Sequence, residues 1–354
     1  MNNKENEPKS SHKEYIVSSE DDEMRLDKWL KKNVTEMPFG LMQKMVRKGA
    51  VKVDGKKRKT EYKLSSNQQI RISAFEDRGS ELRDKKRNKV EVSQNDIDYY
   101  ITKQIIYRDN NLIAINKRSG LPTQGGTKIK LSVDDLIPYI DDVKDTPKLV
   151  HRIDKDTSGV ILVSLNKKSA QEATLYFKKK EFVKTYWAII VGVPAKKEGR
   201  INIPLIERST ASGIDKMETI RHGSKNPAAK RSVTYYKVIE MAGRKMCWVA
   251  LRPETGRKHQ LRVHLEAIGH PILGDGKYGG KEAFIEGMSN KMHLHARSIS
   301  HENFMGKAID ISAPLQGHML EAWKLLEFEK DYKFDPFSNI ESFKSVSEVM
   351  DEDL

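Results

Sequence analysis

The sequence of 354 residues contains only one cysteine, Cys247, and no long hydrophobic run. A single cysteine excludes an internal disulfide bond and a cysteine-based zinc site, and it favours a reducing, cytoplasmic setting. The longest nearly continuous apolar stretch, residues 186–195, is far shorter than the roughly 20 residues that a membrane-spanning helix needs. The first 23 residues are polar and mixed in charge, so no secretory signal or membrane partner is expected.

Positive charge is abundant but unevenly distributed along the chain. The net charge is +14, and residues 24–75 alone contain 14 Lys or Arg against four Asp or Glu. The last 24 residues, 331–354, contain seven acidic residues and two lysines. Concentrated positive charge favours nucleic acid as a partner, although basic surfaces also occur without a ligand.

Shifts in composition divide the chain into five parts. In order, these are a disordered leader at 1–23, a small basic domain at 24–75, a charged linker at 76–97, a larger domain at 98–328, and an acidic, flexible tail at 329–354. Apolar periodicity in the basic domain predicts helices at 25–33 and 40–48 and strands at 51–53 and 69–73. The larger domain is of mixed type, with strands predicted at 112–115, 160–165, 187–193 and 248–251 and helices at 133–140 and 168–179.

The most informative segment of the larger domain is a polar cluster between an apolar lead-in and a strand, residues 149–162. It includes His151, Arg152, Asp154 and Asp156. Loops at strand ends often carry catalytic groups, but the pattern alone is also compatible with a structural turn.

The residues of this cluster resemble a known family signature. His151-Arg152-Ile153-Asp154, followed by Thr157-Ser158-Gly159, resembles the signature of the RluA family of pseudouridine synthases, which has Leu where this chain has Ile153. Further family blocks follow the family's order over residues 24–325, at 107–117, 184–188, 254–265, 269–275 and 294–297. Arg118 stands where the family usually has Pro.

The resemblance implies a fold and a reaction. The fold is α+β, the pseudouridine synthase fold, with a mixed, largely antiparallel sheet and flanking helices. The reaction detaches uracil from C1′ of the ribose, turns the base and rejoins it through C5. Because this isomerisation involves no redox change and no outside reactant, we expect no cofactor and no metal.

The resemblance also assigns candidate site residues. Asp154 matches the catalytic aspartate, Arg262 the cation that keeps it ionised, and Tyr186 the tyrosine that stacks on the target base and can take part in proton transfer. Attack on C1′, attack on C6 and deprotonation of the ribose remain open for Asp154. His151, Arg152 and Arg257 are candidate RNA or base contacts, with loop hydrogen bonding and phosphate screening as their alternative roles.

Residues 24–75 resemble a second known module, the S4 domain, a small α/β RNA-binding domain. Its basic side chains are expected to contact RNA phosphates, and the candidates are Lys44, Arg47, Lys48 and Lys52. Residues 121–127 look most like the C-type enzymes that modify 23S ribosomal RNA, while D-type enzymes also carry the S4 module. The predicted partner is therefore 23S ribosomal RNA, and we expect a monomer.

Two other functional classes remain as alternatives. The first is a non-enzymatic RNA-binding or ribosome-assembly protein that has lost catalysis. The second is a magnesium-dependent phosphatase, because residues 154–157, Asp-Lys-Asp-Thr, resemble the Asp-x-Asp-x-Thr pattern, with the threonine one position early. His151 and Arg152 interrupt the apolar strand that a phosphatase needs before its first aspartate, and the later magnesium-binding Asp is missing from its expected spacing.

Overall fold

The computed structural model describes residues 12–34, 39–73, 92–126, 129–143, 145–209, 215–220, 226–332 and 334–346. The chain forms two compact units, with the boundary between Lys89 and Val90. Most of the predicted linker, residues 76–91, lies outside the described residues, as do 1–11 of the leader and 347–354 of the tail. In the part of the chain that the structure describes, no helix has the length and apolar character needed to cross a membrane.

Over its described residues, the N-terminal unit is a four-stranded antiparallel sheet with two helices. Its elements are β1 (His12–Ile16), α1 (Leu26–Asn33), α2 (Phe39–Lys48), β2 (Val51–Val53), β3 (Lys56–Lys57) and β4 (Gln69–Ser73), and the strand order is β1-β4-β2-β3. Trp29 and Leu30 of α1 pack with Met45 of α2 and with Val53 and Ile70 of the sheet. The predicted helices and strands of this unit agree with these bounds to within one residue.

The prediction of a disordered leader is wrong for residues 12–23. Strand β1 pairs along its whole length with β4, from His12 opposite Ser73 to Ile16 opposite Gln69. Val17 is fully buried in the core of the unit, and the carboxylate of Asp21 accepts a hydrogen bond from Lys32. The residues of β1, three polar followed by two apolar, show no alternation that would predict a strand, and pairing with β4 stabilises it.

In the residues that the structure describes, the second unit is built on one large mixed sheet of ten strands. Its strands are β5 (Ile105–Arg108), β6 (Leu112–Lys117), β7 (Lys148–Leu149), β8 (Ser158–Ser164), β9 (Val183–Val191), β10 (Glu198–Asn202), β13 (Val233–Ala242), β14 (Met246–Pro253), β15 (Leu294–Phe304) and β16 (Lys307–Ser312). The main order is β10-β13-β14-β9-β15-β8-β6-β5, with β16 beside β15 and β7 beside β8. The β8–β15 pair is parallel, and the other pairs are antiparallel.

Helices and a separate hairpin complete this unit. The hairpin joins β11 (Leu205–Ser209) to β12 (Asp215–Thr219), and the helices are α3 (Gln94–Tyr100), α4 (Val133–Leu136), α5 (Lys167–Lys179), α6 (Gln260–Ala267) and α7 (His318–Leu325). The predicted strand and helix segments of this domain all lie within or overlap these elements. The predicted helix at 133–140 is α4 followed by a 3-10 turn, Ile137–Tyr139.

The central strands are buried on both faces, which is why they read as nearly continuous apolar runs. Along β14, Trp248 and Ala250 face one core with Trp323 of α7, whereas Cys247 and Val249 face a second core. Alternate residues thus enter different cores, as the two-residue period of a strand requires.

Two predicted boundaries of this domain are wrong. Residues 94–97, predicted as the end of the linker, belong to α3, because Ser93 and Asp96 make a capping box at its start. Residues 334–346 do not form a flexible tail, because Phe337 and Phe343 are buried in the core beside Trp248. The backbone of Ser345 also forms an isolated parallel β-bridge with Arg200. The acidic composition predicted a flexible tail, but the burial of Phe337 and Phe343 fixes the backbone between them.

Candidate active site

The candidate catalytic loop, residues 150–157, joins β7 to the start of β8. β8 begins beside β15, and β15 lies next to β9, so the loop is carried close to Tyr186 on β9. Gly159 has a φ of 106°, and a Cβ at this position would overlap the backbone of Ala296. A glycine is therefore required for the parallel β8–β15 pair that places the loop.

Two side chains hold the backbone of the loop on either side of Asp154. The hydroxyl of Thr123 donates to the carbonyl of Ile153 at 2.7 Å. The ammonium group of Lys117, fully buried, donates to the carbonyls of Lys155, Leu121 and Arg118 at 2.8–2.9 Å. These bonds fix the backbone directly before and after Asp154. The Asp154 side chain therefore extends from a rigid segment of the loop.

The Asp154 carboxylate is partly exposed, at 26%, and faces several basic side chains. Nη1 of Arg262 lies 3.8 Å from Asp154 Oδ2, and Nε2 of His259 lies 3.8 Å from the same oxygen. Burial raises the pKa of Asp154, while Arg262, Arg152 and Lys117 act in the opposite direction. The cations therefore limit the rise that burial imposes and favour the ionised form.

Arg262 has a closer partner than the predicted one. Its Nε and Nη2 donate to the two carboxylate oxygens of Asp275, both at 2.7 Å, and the side chain of Asp275 is only 1% exposed. The predicted pair of Arg262 and Asp154 is thus a longer contact made by the remaining Nη1, and Asp275 holds the guanidinium in place. A planar guanidinium can serve two carboxylates in this way, because its five N–H groups point in fixed directions.

Tyr186 and Asp154 line the same cavity, which has a volume of about 460 Å³. Burial and the charge of Asp154 raise the pKa of Tyr186, so its hydroxyl stays protonated. Basic residues surround the cavity, including the half-buried Lys184, whose pKa is lowered by burial and by Lys180. The cavity therefore combines an aromatic ring, one carboxylate and a positive rim.

The three weaker candidates all line this cavity, but in different ways. Arg152 and Arg257 are exposed, and Arg257 donates through Nε to the carbonyl of Arg231 at 3.3 Å. His151 accepts a hydrogen bond at Nε2 from the backbone of Leu162 and stacks on Phe177 at 4.5 Å. Burial lowers the pKa of His151 to about 3, with Lys184 adding to the effect, so this neutral ring anchors the loop to β8.

A second cavity of about 460 Å³ also reaches Arg262 and Asp275. Lys155, Lys277 and Lys291 line it together with Asp156, which does not line the first cavity. The catalytic loop thus has a basic cavity on each side, with Asp154 directed into the first one.

The basic candidates of the N-terminal unit lie on α2 and β2. Arg47, Lys48 and Lys52 are exposed, while Lys44 is half-buried. Lys52 stands between the buried Val51 and Val53, so the alternation of β2 directs it to the outer face of the sheet.

Several residues that build the site were not among the predicted candidates: Lys117, Thr123, His259, Asp275 and Tyr278. Lys117, His259 and Asp275 lie inside the family blocks of the sequence, and Thr123 lies in residues 121–127, which resemble the C-type enzymes. The sequence signal for Lys117 was its position at the end of an apolar strand. A lysine that becomes buried there needs hydrogen-bond acceptors for its ammonium group. The partner of Asp275 could not be read from the sequence, since many cations were equally available.

Comparison with known proteins identifies the family. The RNA pseudouridylate synthase family matches residues 111–267. The chain is 38% identical over 295 residues to ribosomal large subunit pseudouridine synthase C of Rickettsia felis, covering 82% of this chain and 93% of the relative. It is 32% identical to the protein of the same name from Vibrio vulnificus, covering 84% and 90%.

Solved structures agree with the sequence comparison. Human RNA pseudouridylate synthase domain containing 4 superimposes with a TM-score of 0.54 and 30% identity, over 65% of this chain and 95% of the human protein. Human RNA pseudouridylate synthase domain containing 1 has a TM-score of 0.50 and 27% identity over a similar share. The predicted pseudouridine synthase fold is confirmed, and the chain belongs to the RluA-type RNA pseudouridylate synthase family, as an enzyme that isomerises uridine in RNA.

Proposed function

We propose that this enzyme converts uridines of 23S ribosomal RNA to pseudouridine, with Asp154 as the catalytic nucleophile or general base. The observation that carries the proposal is the cavity in which Asp154, faced by Arg262, shares the lining with Tyr186. The relatives named above are ribosomal large subunit enzymes of the C type, which supports 23S ribosomal RNA as the substrate. A D-type or other RNA specificity within the same family is the second candidate.

The target base must leave its helix to react, because Asp154 lies in a cavity of the protein that a paired and stacked base does not reach. The flipped uracil would stack on the ring of Tyr186, with the ribose towards Asp154. During the reaction the C1′–N1 bond breaks and a C1′–C5 bond forms, C5 loses a proton and N1 gains one. Since its hydroxyl remains protonated, Tyr186 serves this exchange as a hydrogen-bond donor and stacking surface.

Asp154 would act in its ionised form, as a nucleophile or as a base. Arg262 supports this form at 3.8 Å, while Asp275 keeps the guanidinium aligned from the other side. Lys117 and Thr123 keep the backbone of the loop fixed, so the carboxylate does not need to reorganise when the substrate binds.

The RNA backbone would follow positive charge on both sides of the loop. Arg152, Arg257 and Lys184 rim the first cavity, and Lys155, Lys277 and Lys291 line the second. We include the N-terminal unit in the proposal as an S4-type RNA-binding domain, because Arg47, Lys48 and Lys52 are exposed there. Phosphate contacts of this kind supply affinity and orientation with little sequence selectivity.

The family assignment argues against both alternatives considered from the sequence, a non-enzymatic RNA-binding protein and a magnesium-dependent phosphatase. The phosphatase hypothesis would require Asp154 and Asp156 to act together on one magnesium ion. Asp156 is exposed and lines the second cavity, whereas Asp154 lines the first. The two carboxylates therefore serve different surfaces of the loop.

Asp154→Asn tests the proposal, and Asp156→Asn is its matched control. Purified variants are given 23S ribosomal RNA lacking pseudouridine, with 16S ribosomal RNA as the control substrate, and pseudouridine is mapped by position. Asp154→Asn should bind the RNA but lose activity by at least about 10³-fold, as expected when a nucleophile or base is removed. Asp156→Asn should stay within about threefold of the unaltered enzyme, the range of an exposed residue outside the chemistry.

Activity retained by Asp154→Asn would refute the assigned role of Asp154. Efficient modification of 16S but not of 23S ribosomal RNA would refute the assigned substrate and leave the family assignment intact.

A further inference from the structure

His259 occupies an unusual backbone position directly before α6. Its φ is 54°, in the left-handed region that residues other than glycine rarely adopt. The side chain is 13% exposed and meets the ring of Tyr278 edge-on, with ring centres 5.6 Å apart. This conformation directs Nε2 towards Asp154, and strained backbone of this kind often accompanies function.

The contacts of the ring indicate which nitrogen carries the proton. Nδ1 of His259 lies 2.7 Å from the hydroxyl oxygen of Tyr278, and that oxygen also accepts from the backbone N–H of Met217 at 3.3 Å. A phenol has a single hydrogen to donate, and Nδ1 is placed to accept it. The neutral ring then carries its own hydrogen on Nε2, the nitrogen that faces Asp154.

The ring also stays neutral over the working pH range. Burial lowers the pKa of His259 to about 3, with the surrounding cations Arg262, Lys277, Lys258 and Arg152 adding to the effect. The approach of Nε2 to Asp154 Oδ2 at 3.8 Å is therefore that of a neutral N–H to a carboxylate, slightly beyond hydrogen-bond distance. A small movement on substrate binding would close the gap.

We propose that His259 is a positioning residue for Asp154: its Nε2–H, fixed in that tautomer by the Tyr278 hydroxyl, directs the carboxylate for reaction. The proposal rests on the role of Asp154 proposed above. Arg262 and His259 have different effects on Asp154. The charge of Arg262 stabilises the ionised carboxylate, and the neutral N–H of His259 orients it. Tyr278 acts one step further away, through the imidazole.

Two substitutions of His259 separate this role from a structural one. The amide nitrogen of Gln reaches approximately the position of Nε2, whereas that of Asn reaches approximately the position of Nδ1. Asn tolerates a left-handed backbone better than Gln does. A purely structural role therefore predicts that His259→Asn is better than His259→Gln in both stability and activity.

The positioning role predicts the opposite order for activity. His259→Gln should stay within about tenfold of the unaltered enzyme in kcat, and His259→Asn should fall by about 100-fold, the upper end of effects at residues that orient a reacting group. KM for 23S ribosomal RNA should change by less than about twofold in both, since neither change removes a phosphate-binding group. Melting temperatures of both variants report any loss of fold.

A spectroscopic readout tests the tautomer without reference to activity. ¹⁵N spectra of histidine-labelled full-length protein should show His259 as the Nε2–H form at pH 7, with its signal assigned by its loss in His259→Gln. Tyr278→Phe removes the hydroxyl and should produce a mixture of tautomers, a lower kcat and an unchanged KM.

The proposal is overturned if His259 is Nδ1–H or doubly protonated at pH 7. It is equally overturned if His259→Asn is at least as active as His259→Gln. Failure of the underlying function is recognised separately, because it would appear as activity in Asp154→Asn whatever the tautomer of His259.

Discussion

The N-terminal unit and the catalytic unit both depend on charged side chains, but they hold them differently. In the N-terminal unit, Lys63 and Glu23 form an ion pair in which both side chains are about two-thirds exposed, at 66% and 64%. In the catalytic unit, Arg262 and Asp275 are 9% and 1% exposed and form a bidentate pair.

Water accounts for the difference between the two units. Exposed charges are screened and replaceable, and together they provide a diffuse field that suits a polyanion. Buried charges are held in one geometry by their partners. Removing one partner leaves the other charge buried without compensation, which destabilises the fold. The first arrangement suits phosphate binding, and the second suits the accurate placement of one carboxylate.

The largest effect should come from breaking the buried pair. Arg262→Ala leaves Asp275 buried without its cation, so we expect the free energy of unfolding to fall by about 3–5 kcal/mol and activity to be lost. Lys63→Ala is the exposed counterpart and should leave the denaturation midpoint unchanged within error. Urea unfolding of both variants measures the contrast, and equal effects would show that burial does not distinguish the pairs.

A smaller loss of stability should follow removal of the buried lysine beneath the loop. Lys117→Met keeps the length of the side chain but removes the ammonium donor from the carbonyls of Arg118 and Leu121, while the carbonyl of Lys155 keeps the backbone N–H of Gly120. We expect a loss of roughly 3 kcal/mol in the free energy of unfolding, from the cost of unsatisfied buried acceptors. Unfolding curves measure this, and an unchanged midpoint would show that these carbonyls find other donors.

A shift in pH dependence should follow removal of an exposed cation beside Asp154. Arg152 lowers the pKa of Asp154 against the rise that burial causes. In Arg152→Gln the carboxylate is protonated at higher pH, so the acidic limb of kcat/KM should move upward, by less than about one pH unit for an exposed group. Arg257 lines the same cavity but is not among the main groups that shift this pKa, so the acidic limb of Arg257→Gln should not move.

The smallest effect per residue is expected in the N-terminal unit. Replacing Arg47, Lys48 and Lys52 together by Gln should weaken RNA binding while kcat at saturating RNA stays unchanged. The slope of log affinity against log salt should flatten by roughly 0.7–0.9 for each RNA phosphate that the variant no longer neutralises. Titration at several salt concentrations measures it, and an unaltered slope would exclude this surface from RNA binding.

Local patterns predicted a large part of the fold. The apolar runs of β6, β8 and β14 and the periodicity of α1, α2 and α5 predicted helices and strands close to their observed bounds. Predictions failed where local composition and tertiary contact disagree. The acidic segment around Phe337 is the clearest case, since two aromatic residues outweigh its charge once a core is available to bury them.

The sequence by itself determined the family, the order of its blocks and the candidates Asp154, Tyr186 and Arg262, because these rest on residue types at fixed spacings. Only the tertiary structure decided which groups meet. The sheet order β9-β15-β8 brings Asp154 close to Tyr186, and the start of α6 brings His259 and Arg262 to the same carboxylate. Asp275 became the main partner of Arg262 because both are buried together, and burial depends on the packing of segments far apart in the chain.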